Sequence, residues 1–273
     1  MKIFFVLLFT FNLSAKTTRV FQPVPIEEAH SYFGEASDNE LDSSSLNVFI
    51  WNVKKASIKG WSEAFKAFAH HQDLILIQEA YRNQYFENTL LLFKNIRWDM
   101  GTSFITTIDA STPTGTMIGS RTNPQTVTVL HSPDFEPIIQ TPKSTTLATY
   151  PLRNSEQDLL VVSIHGINLT NDYAFMRHLN QIRAEISKHD GPIIFAGDFN
   201  TRTMTRLIFT FQLAHELGLN PANFVNGHLR MMAPLTDNIL DHAFIRGLKI
   251  KKAEVIASPA SDHNPMFLEL ALD

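Results

Sequence analysis

Acids, amides and histidines recur in one kind of place along this chain, directly after a short apolar run. Phe49-Ile50-Trp51 leads to Asn52, and Leu74-Ile75-Leu76-Ile77 leads to Gln78-Glu79. Val161-Val162-Ser163-Ile164 leads to His165 and then Asn168, while Ile193-Ile194-Phe195-Ala196 leads to Gly197-Asp198-Phe199-Asn200. Asp241 opens the run Asp241-His242-Ala243-Phe244-Ile245, and Ser261-Asp262-His263-Asn264-Pro265 precedes the last apolar stretch. The end of a strand is where a loop presents such groups to a ligand. Carboxylate and amide oxygens are the ligand set of a hard cation such as Mg²⁺, Mn²⁺ or Ca²⁺, and less that of zinc. With no cysteine in 273 residues, disulfides and thiolate-ligated metal sites are excluded.

The elements that must hold these groups follow from hydropathy patterning. Strands are expected at 46–51, 74–77, 116–118, 126–130, 145–150, 159–164, 193–196, 239–245, 249–256 and 266–270. Helices are expected at 61–71, where Trp61, Ala64, Phe65 and Phe68 fall at helical spacing, and at 84–93, 173–188 and within 204–217. Between Gly115 and Ile164 strands follow one another without helices, which disfavours a single doubly wound sheet. Two runs of strands, each with its own helices, predict an α/β domain with two sheets packed face to face and helices outside.

Composition narrows the class of molecule further. The chain is 44% hydrophobic and 18% charged, an ordinary globular balance, and its length suits one large domain or two small ones. A formal charge of −4 argues against nucleic-acid binding through a strongly basic surface, but not against a nuclease, because a bound divalent cation can supply positive charge at the phosphate. Lys2, the apolar run Ile3–Phe11 and Asn12-Leu13-Ser14-Ala15 read as a signal peptide cleaved after Ala15, with an uncleaved anchor or a buried first strand as the alternatives. The run is too short to span a bilayer, which takes about 20 residues. A secreted or periplasmic location is therefore expected. Residues 16–45, polar and broken by Pro23 and Pro25, are expected as a lead-in without a core of their own, with the packed domain at 46–273.

Taken together and in order, Asn52, Gln78-Glu79, His165 with Asn168, Gly197-Asp198-Phe199-Asn200, Asp241 and Ser261-Asp262-His263 resemble the endonuclease/exonuclease/phosphatase superfamily over roughly residues 46–273. Pro142-Lys143-Ser144, Ser163–Asn168 and Ala260–Pro265 look most like its bacterial YafD-like branch. The resemblance implies a DNase I-like four-layered α/β sandwich of two mainly antiparallel sheets, and metal-dependent phosphoester hydrolysis. It implies Glu79 as the principal metal ligand, with Asn52 and Asp262 completing the shell of Mg²⁺ or Mn²⁺, or of Ca²⁺. Asp198 and Asn200 would hold the attacking water and a phosphoryl oxygen, and His263, oriented by Asp241, would serve as acid/base or phosphate-stabilising cation. His165 would be a second histidine of the centre, and Asn168 a phosphate contact or a support behind the residues that make one. The superfamily's abasic-site endonucleases carry Asp where this chain has Lys54, so that activity is disfavoured.

Each of these residues also has an ordinary reading as a turn former or a strand-end polar group, and it is their joint order that favours a site. Other polar and aromatic residues read as structural. His70-His71 suits a helix C-terminus, His242 should face away from Asp241 across the sheet, Lys249, Lys251 and Lys252 suit a solvated strand face, and Phe209 and Phe211 suit a core. Arg121 is open between a surface role and a phosphate contact. The expectation is a monomeric phosphodiesterase without a stable protein partner and with a phosphodiester substrate, DNA foremost. A phospholipid or small phosphoester, and a non-catalytic binding protein on the same fold, are the alternatives.

Overall fold

The computed structural model describes residues 19–108 and 111–272. The signal-peptide segment 1–15 lies outside the described residues. Among the described residues fourteen strands run in chain order: β1 (Phe21–Pro23), β2 (His30–Gly34), β3 (Leu46–Asn52), β4 (Leu74–Tyr81), β5 (Arg97–Thr106), β6 (Thr112–Ser120) and β7 (Thr126–His131). They continue as β8 (Ser144–Tyr150), β9 (Leu159–His165), β10 (Ile193–Asp198), β11 (Asn220–Pro221), β12 (Asp241–Arg246), β13 (Leu248–Val255) and β14 (Met266–Leu272). Four helices join them: α1 (Trp61–Ala69), α2 (Gln84–Leu90), α3 (Asp172–Ile186) and α4 (Met204–Glu216).

One sheet has the order β1-β5-β6-β4-β3-β14-β13, with β2 also on β5, and the other the order β11-β12-β10-β9-β8-β7. Each holds one parallel pair, β3 with β4 and β9 with β10; the other pairs are antiparallel. Strand alternation explains the layering. Val48, Ile50, Leu74 and Leu76 meet Val161, Ile194, Ala196 and Ala243 in a core between the sheets. The intervening Phe49, Trp51, Ile75 and Ile77 face outward onto Trp61 and Phe65 of α1 and Phe86 and Leu90 of α2. On the other side Val162, Ile164, Phe195 and Phe244 pack on Phe175 and Leu179 of α3 and Leu213 of α4. The result is the expected four-layered sandwich. Strands buried on both faces read as unbroken apolar runs, and burying each large side chain contributes about 1.5–3 kcal/mol. Asn83, Asn171 and Thr203 start α2, α3 and α4 by accepting the amides of Phe86, Ala174 and Arg206 on their side chains.

Three expectations are corrected. The described part of the 16–45 lead-in is joined to the first sheet, because β1 and β2 both pair antiparallel with β5 and Leu41 is buried in the central core. Edge strands are held by backbone hydrogen bonds and need no apolar run, so a polar sequence hides them. Strand β5 itself was not expected. Its sequence is rich in Gly, Thr, Ser and Asp, and Asp99 is buried within it by pairing with Arg97 and His30. Phe211 is 40% exposed rather than core, beside an open cleft along α4 that includes Pro221 and His242, although its ring still touches those of His242 and Phe244.

Candidate active site

Strand register brings the polar residues into two facing rows. Asn52 is opposite Gln78 across the β3–β4 pair, and Asp198 is opposite both His165 on β9 and Asp241 on β12. The inward alternation of Ile194, Ala196 and Asp198 on β10, and of Ile245, Ala243 and Asp241 on β12, points both carboxylates between the sheets. His242 then faces the opposite side, where it meets Thr201 at 2.9 Å and the rings of Phe199 and Phe211.

Two glycines let the row close. A Cβ on Gly197, whose φ is +140°, would land on the carbonyl oxygen of Ile164, and one on Gly166 would land on that of Phe199. Glu79 is aimed by a different device. The register of β4 on β6 slips between Ile77 and Ala80, and Glu79 takes a left-handed φ of 54°. Such a bulge re-aims a side chain at the cost of local backbone strain.

Asn52 is the hub of the cluster. Its Nδ2 donates to Asp198 Oδ2 at 3.0 Å and lies 3.4 Å from Glu79 Oε1, while its Oδ1 accepts the Lys54 amide at 3.1 Å. Asp198 Oδ2 also lies 3.7 Å from His165 Nε2 and 3.8 Å from His263 Nε2, and its Oδ1 accepts the Asn200 amide at 2.9 Å. His263 Nδ1 is held by both oxygens of Asp241, at 2.9 and 3.0 Å. The His263 backbone is fixed as well, since Trp51 Nε1 donates to its carbonyl at 2.7 Å and the Ser261 hydroxyl donates to Asn52 O. Gln78 Nε2 donates to Ser163 Oγ, tying the sheets together behind the site.

Burial and these contacts set the charges. Burial raises the Asp198 carboxyl to about 7, with His263 opposing the rise and Asp241 adding to it. Burial alone would lower His263, yet Asp241, by charge and hydrogen bond, together with Asp198 and Asp262 outweighs it and lifts the imidazole to about 10. His165 is driven well below its ordinary value by burial and by the nearby cations Lys143, His263 and Lys55, so it is neutral. One cationic and one neutral histidine therefore flank a carboxylate poised near neutral pH.

The residues expected from sequence do not all play the parts expected. Asn52, Glu79, His165, Asp198, Asn200, Asp241 and His263 converge. Asn200 spends its Nδ2 on Gly166 O, which makes it a positioning residue for Asp198 and the β9 end. Asn168 bonds elsewhere: its amide donates to Glu136 Oε1 and its Oδ1 accepts the Leu169 amide. Asp262 is taken by Lys54, whose Nζ lies 2.9 Å from Oδ2. Arg121 donates to the carbonyls of Gln72 and His70, a structural use. Of Lys55, Lys143 and Thr114, which lie beside Glu79 and His165, only Lys143 stood in a motif singled out from sequence, Pro142-Lys143-Ser144, and it was given no role there.

A hard cation fits this donor set. Asp198, Asp241 and His263 offer donor atoms within 4.8 Å of one another, all buried. Asp241 already occupies His263 Nδ1, and Asp262 would have to leave Lys54 to serve as an oxygen ligand beside Glu79 and Asn52. Among the described residues Glu79 has no salt-bridge partner, and Asp198 is a buried carboxylate with the ring nitrogens of His165 and His263 at 3.7 and 3.8 Å.

Two facing sheets between helices, with amides, acids and histidines gathered at their strand ends, define the DNase I-like phosphoesterase sandwich. The chain belongs to the endonuclease/exonuclease/phosphatase family, whose profile matches residues 49–263. It is 30% identical over 236 residues to UPF0294 protein VP2298 of Vibrio parahaemolyticus, covering 85% of this chain and 80% of that one. An endonuclease/exonuclease/phosphatase crystal structure from Beutenbergia cavernae superposes with a TM-score of 0.67 at 16% identity, over 84% of this chain and 72% of that one. D. rerio TDP2 complexed with a single-stranded DNA product superposes with a TM-score of 0.57 at 13% identity, over 83% and 99%.

Proposed function

We propose that the protein is an exported, divalent-metal-dependent phosphodiesterase that hydrolyses DNA. The observation that carries the reading is the placement of Asp198, with its carboxyl near 7, between Asn52 and two histidines, one cationic and one neutral. Glu79, Asp262 and Asn52 would hold a divalent cation, which would supply charge neutralisation at the phosphoryl oxygens. Asp198 Oδ2 accepts the proton of the attacking water, a role its near-neutral pKa suits. The Asn52 amide and the Asn200 N–H hold that carboxylate in place. Cationic His263 stabilises charge on the phosphoryl oxygens, with Asp241 fixing its orientation. Neutral His165 donates a hydrogen bond from the other side. The apolar run Ile3–Phe11 supports export. TDP2, a fold neighbour with a DNA product bound, supports the choice of DNA.

One observation favours a phospholipid substrate as a second reading. Phe135, Ile138 and Leu169 are exposed on the two loops that Glu136 and Asn168 join beside His165, the kind of rim a membrane-surface enzyme uses. The test incubates purified protein with supercoiled plasmid, sphingomyelin vesicles and phosphoinositides, with Mg²⁺, Mn²⁺, Ca²⁺ or EDTA. Cation-dependent nicking of plasmid, lost in Asp198→Ala and His263→Ala, is expected. Cleavage that survives both substitutions sinks the assignment, and cleavage of sphingomyelin alone selects the second reading.

A further inference from the structure

A small cavity of about 110 Å³ opens beside the candidate centre and shares Glu79 and His165 with it. That is the space of three to four waters at roughly 30 Å³ each, room for a phosphate group but not for a nucleoside. Lys55 and Lys143 line it. Lys55 has no salt bridge among the described residues, its Nζ lying 6.0 Å from the centroid of the Phe104 ring. Lys143 is mostly buried and touches one acid, Glu136, at 3.5 Å. Thr114 supplies a separate sign of a ligand. It is 4% exposed, it lines the cavity, and its Oγ1 has no hydrogen-bond partner. The other hydroxyls of the wall are in use, Ser103 Oγ donating to Pro142 O and Ser144 Oγ accepting the Thr116 amide.

The backbone supports a built site. Lys54, Lys55 and Ala56 are three successive non-glycine residues with φ of 46°, 57° and 53°. Left-handed conformation costs such residues roughly 1–2 kcal/mol each, and strain of this kind concentrates at ligand sites. Glu79 is the one acid on the wall; its charge is the one that the proposed divalent cation offsets, so anion binding is expected with that cation present.

We propose that this cavity binds a second, unreacted phosphate of the substrate, adjacent to the one hydrolysed, and thereby selects a nucleic-acid strand over a lipid headgroup with a single phosphate. Lys55 and Lys143 supply the charge and Thr114 a hydroxyl donor, the chemistry of charge-assisted phosphate recognition. This rests on the phosphodiesterase reading for its substrate but not for the cavity's affinity.

The test is calorimetric binding of thymidine 3′,5′-bisphosphate and thymidine 5′-monophosphate to the full protein with Mg²⁺. The wild type should bind the bisphosphate at least about tenfold more tightly, as two charge-assisted contacts allow. Lys55→Gln, at an exposed position that tolerates change, and Thr114→Val should each cut that ratio severalfold, and Lys143→Gln likewise. Equal binding of the two nucleotides, or a ratio untouched by Lys55→Gln, overturns the inference. Tighter binding of inositol 1,4-bisphosphate than of the nucleotide overturns the nucleic-acid assignment. Turnover of bis(4-nitrophenyl) phosphate is measured in parallel. A bisphosphate preference without turnover sinks the hydrolase and leaves the cavity, whereas turnover without the preference sinks the cavity alone.

Discussion

Replacing Asp241 by Asn tests the electrostatics of the centre most directly, because it removes a charge and leaves the shape. In the metal-free protein His263 sits at about 10 against an ordinary 6.5. At about 1.36 kcal/mol per pH unit that gap is about 5 kcal/mol in favour of the imidazolium. Four influences lift it against burial, and the two leading ones, Coulombic attraction and a hydrogen bond, both come from Asp241. Losing them should lower the imidazole's midpoint by about two pH units or more, roughly 3 kcal/mol. The sign for stability follows from the raised value. The stabilisation is complete below 6.5 and disappears as pH rises through about 10, so the variant should be weaker than the wild type at pH 6 and approach it near pH 10. Nitrogen-15 NMR titration of the His263 ring in EDTA reads the midpoint, and urea unfolding at the two pH values reads the stability. A His263 midpoint still near 10 in Asp241→Asn would refute the proposed coupling.

Four further outcomes follow from particular contacts. Lys54→Ala should strengthen Mn²⁺ binding about 1.4- to fivefold by calorimetry, because a half-exposed pair with Asp262 contributes about 0.2–1 kcal/mol that a metal must otherwise overcome; weaker binding removes Asp262 from the metal shell. Gly166→Ala should lose about 1–3 kcal/mol in urea unfolding, since the added methyl meets the Phe199 carbonyl, and a loss under 0.5 kcal/mol by the same measure (about the scatter of surface substitutions) would show that the loop gives way. Burial holds His178 neutral down to about 3, so the unfolded chain takes up a proton there below 6.5 and stability falls with pH. Between pH 7.5 and 5 the wild type should therefore lose about 2 kcal/mol more than His178→Gln, and parallel stability curves would contradict this. Asn52→Asp should destabilise the EDTA-treated protein by about 1–3 kcal/mol, as a donor between two carboxylates becomes a third, with recovery on adding Mg²⁺; equal melting of variant and wild type in EDTA would argue against the Asn52 hub.

Much of the fold was legible because its central strands are buried on both faces. The runs around Phe49, Ile75, Val162 and Ile194 contain enough consecutive apolar residues to mark strands without knowledge of their partners. What escaped was structure held by other means. Strand β5 buries Asp99, Thr102 and Ser103, whose polarity is satisfied by pairing and neighbouring backbone rather than announced by hydropathy. Strands β1 and β2 are an edge whose hydrogen bonds leave no periodic trace. Phe211 shows the converse error, an aromatic at helical spacing that lines a cleft rather than the core.

The site was legible for a related reason. Because β3, β4, β9 and β10 are parallel within their pairs, and β12 runs antiparallel to β10, the polar residues closing the first four and opening the fifth must meet at one end of the sandwich. Strand order thus converts a one-dimensional pattern into convergence for Asn52, Glu79, His165, Asp198 and Asp241. It cannot say which oxygen is already engaged. Asn200 and Asn168 have the same chemistry as Asn52, yet one is spent on Gly166 and the other turns into its own loop, as only side-chain geometry reveals. Lys55 and Thr114 escaped altogether, because a lysine after a strand and a threonine within one are ordinary in sequence, and Lys143 entered only through the Pro142-Lys143-Ser144 likeness, without a role. They become informative when a cavity joins two cations to an unpartnered hydroxyl. The candidate centre is therefore written in strand ends, where few residue types serve, whereas the proposed phosphate cavity beside it is written in loop and bulge geometry.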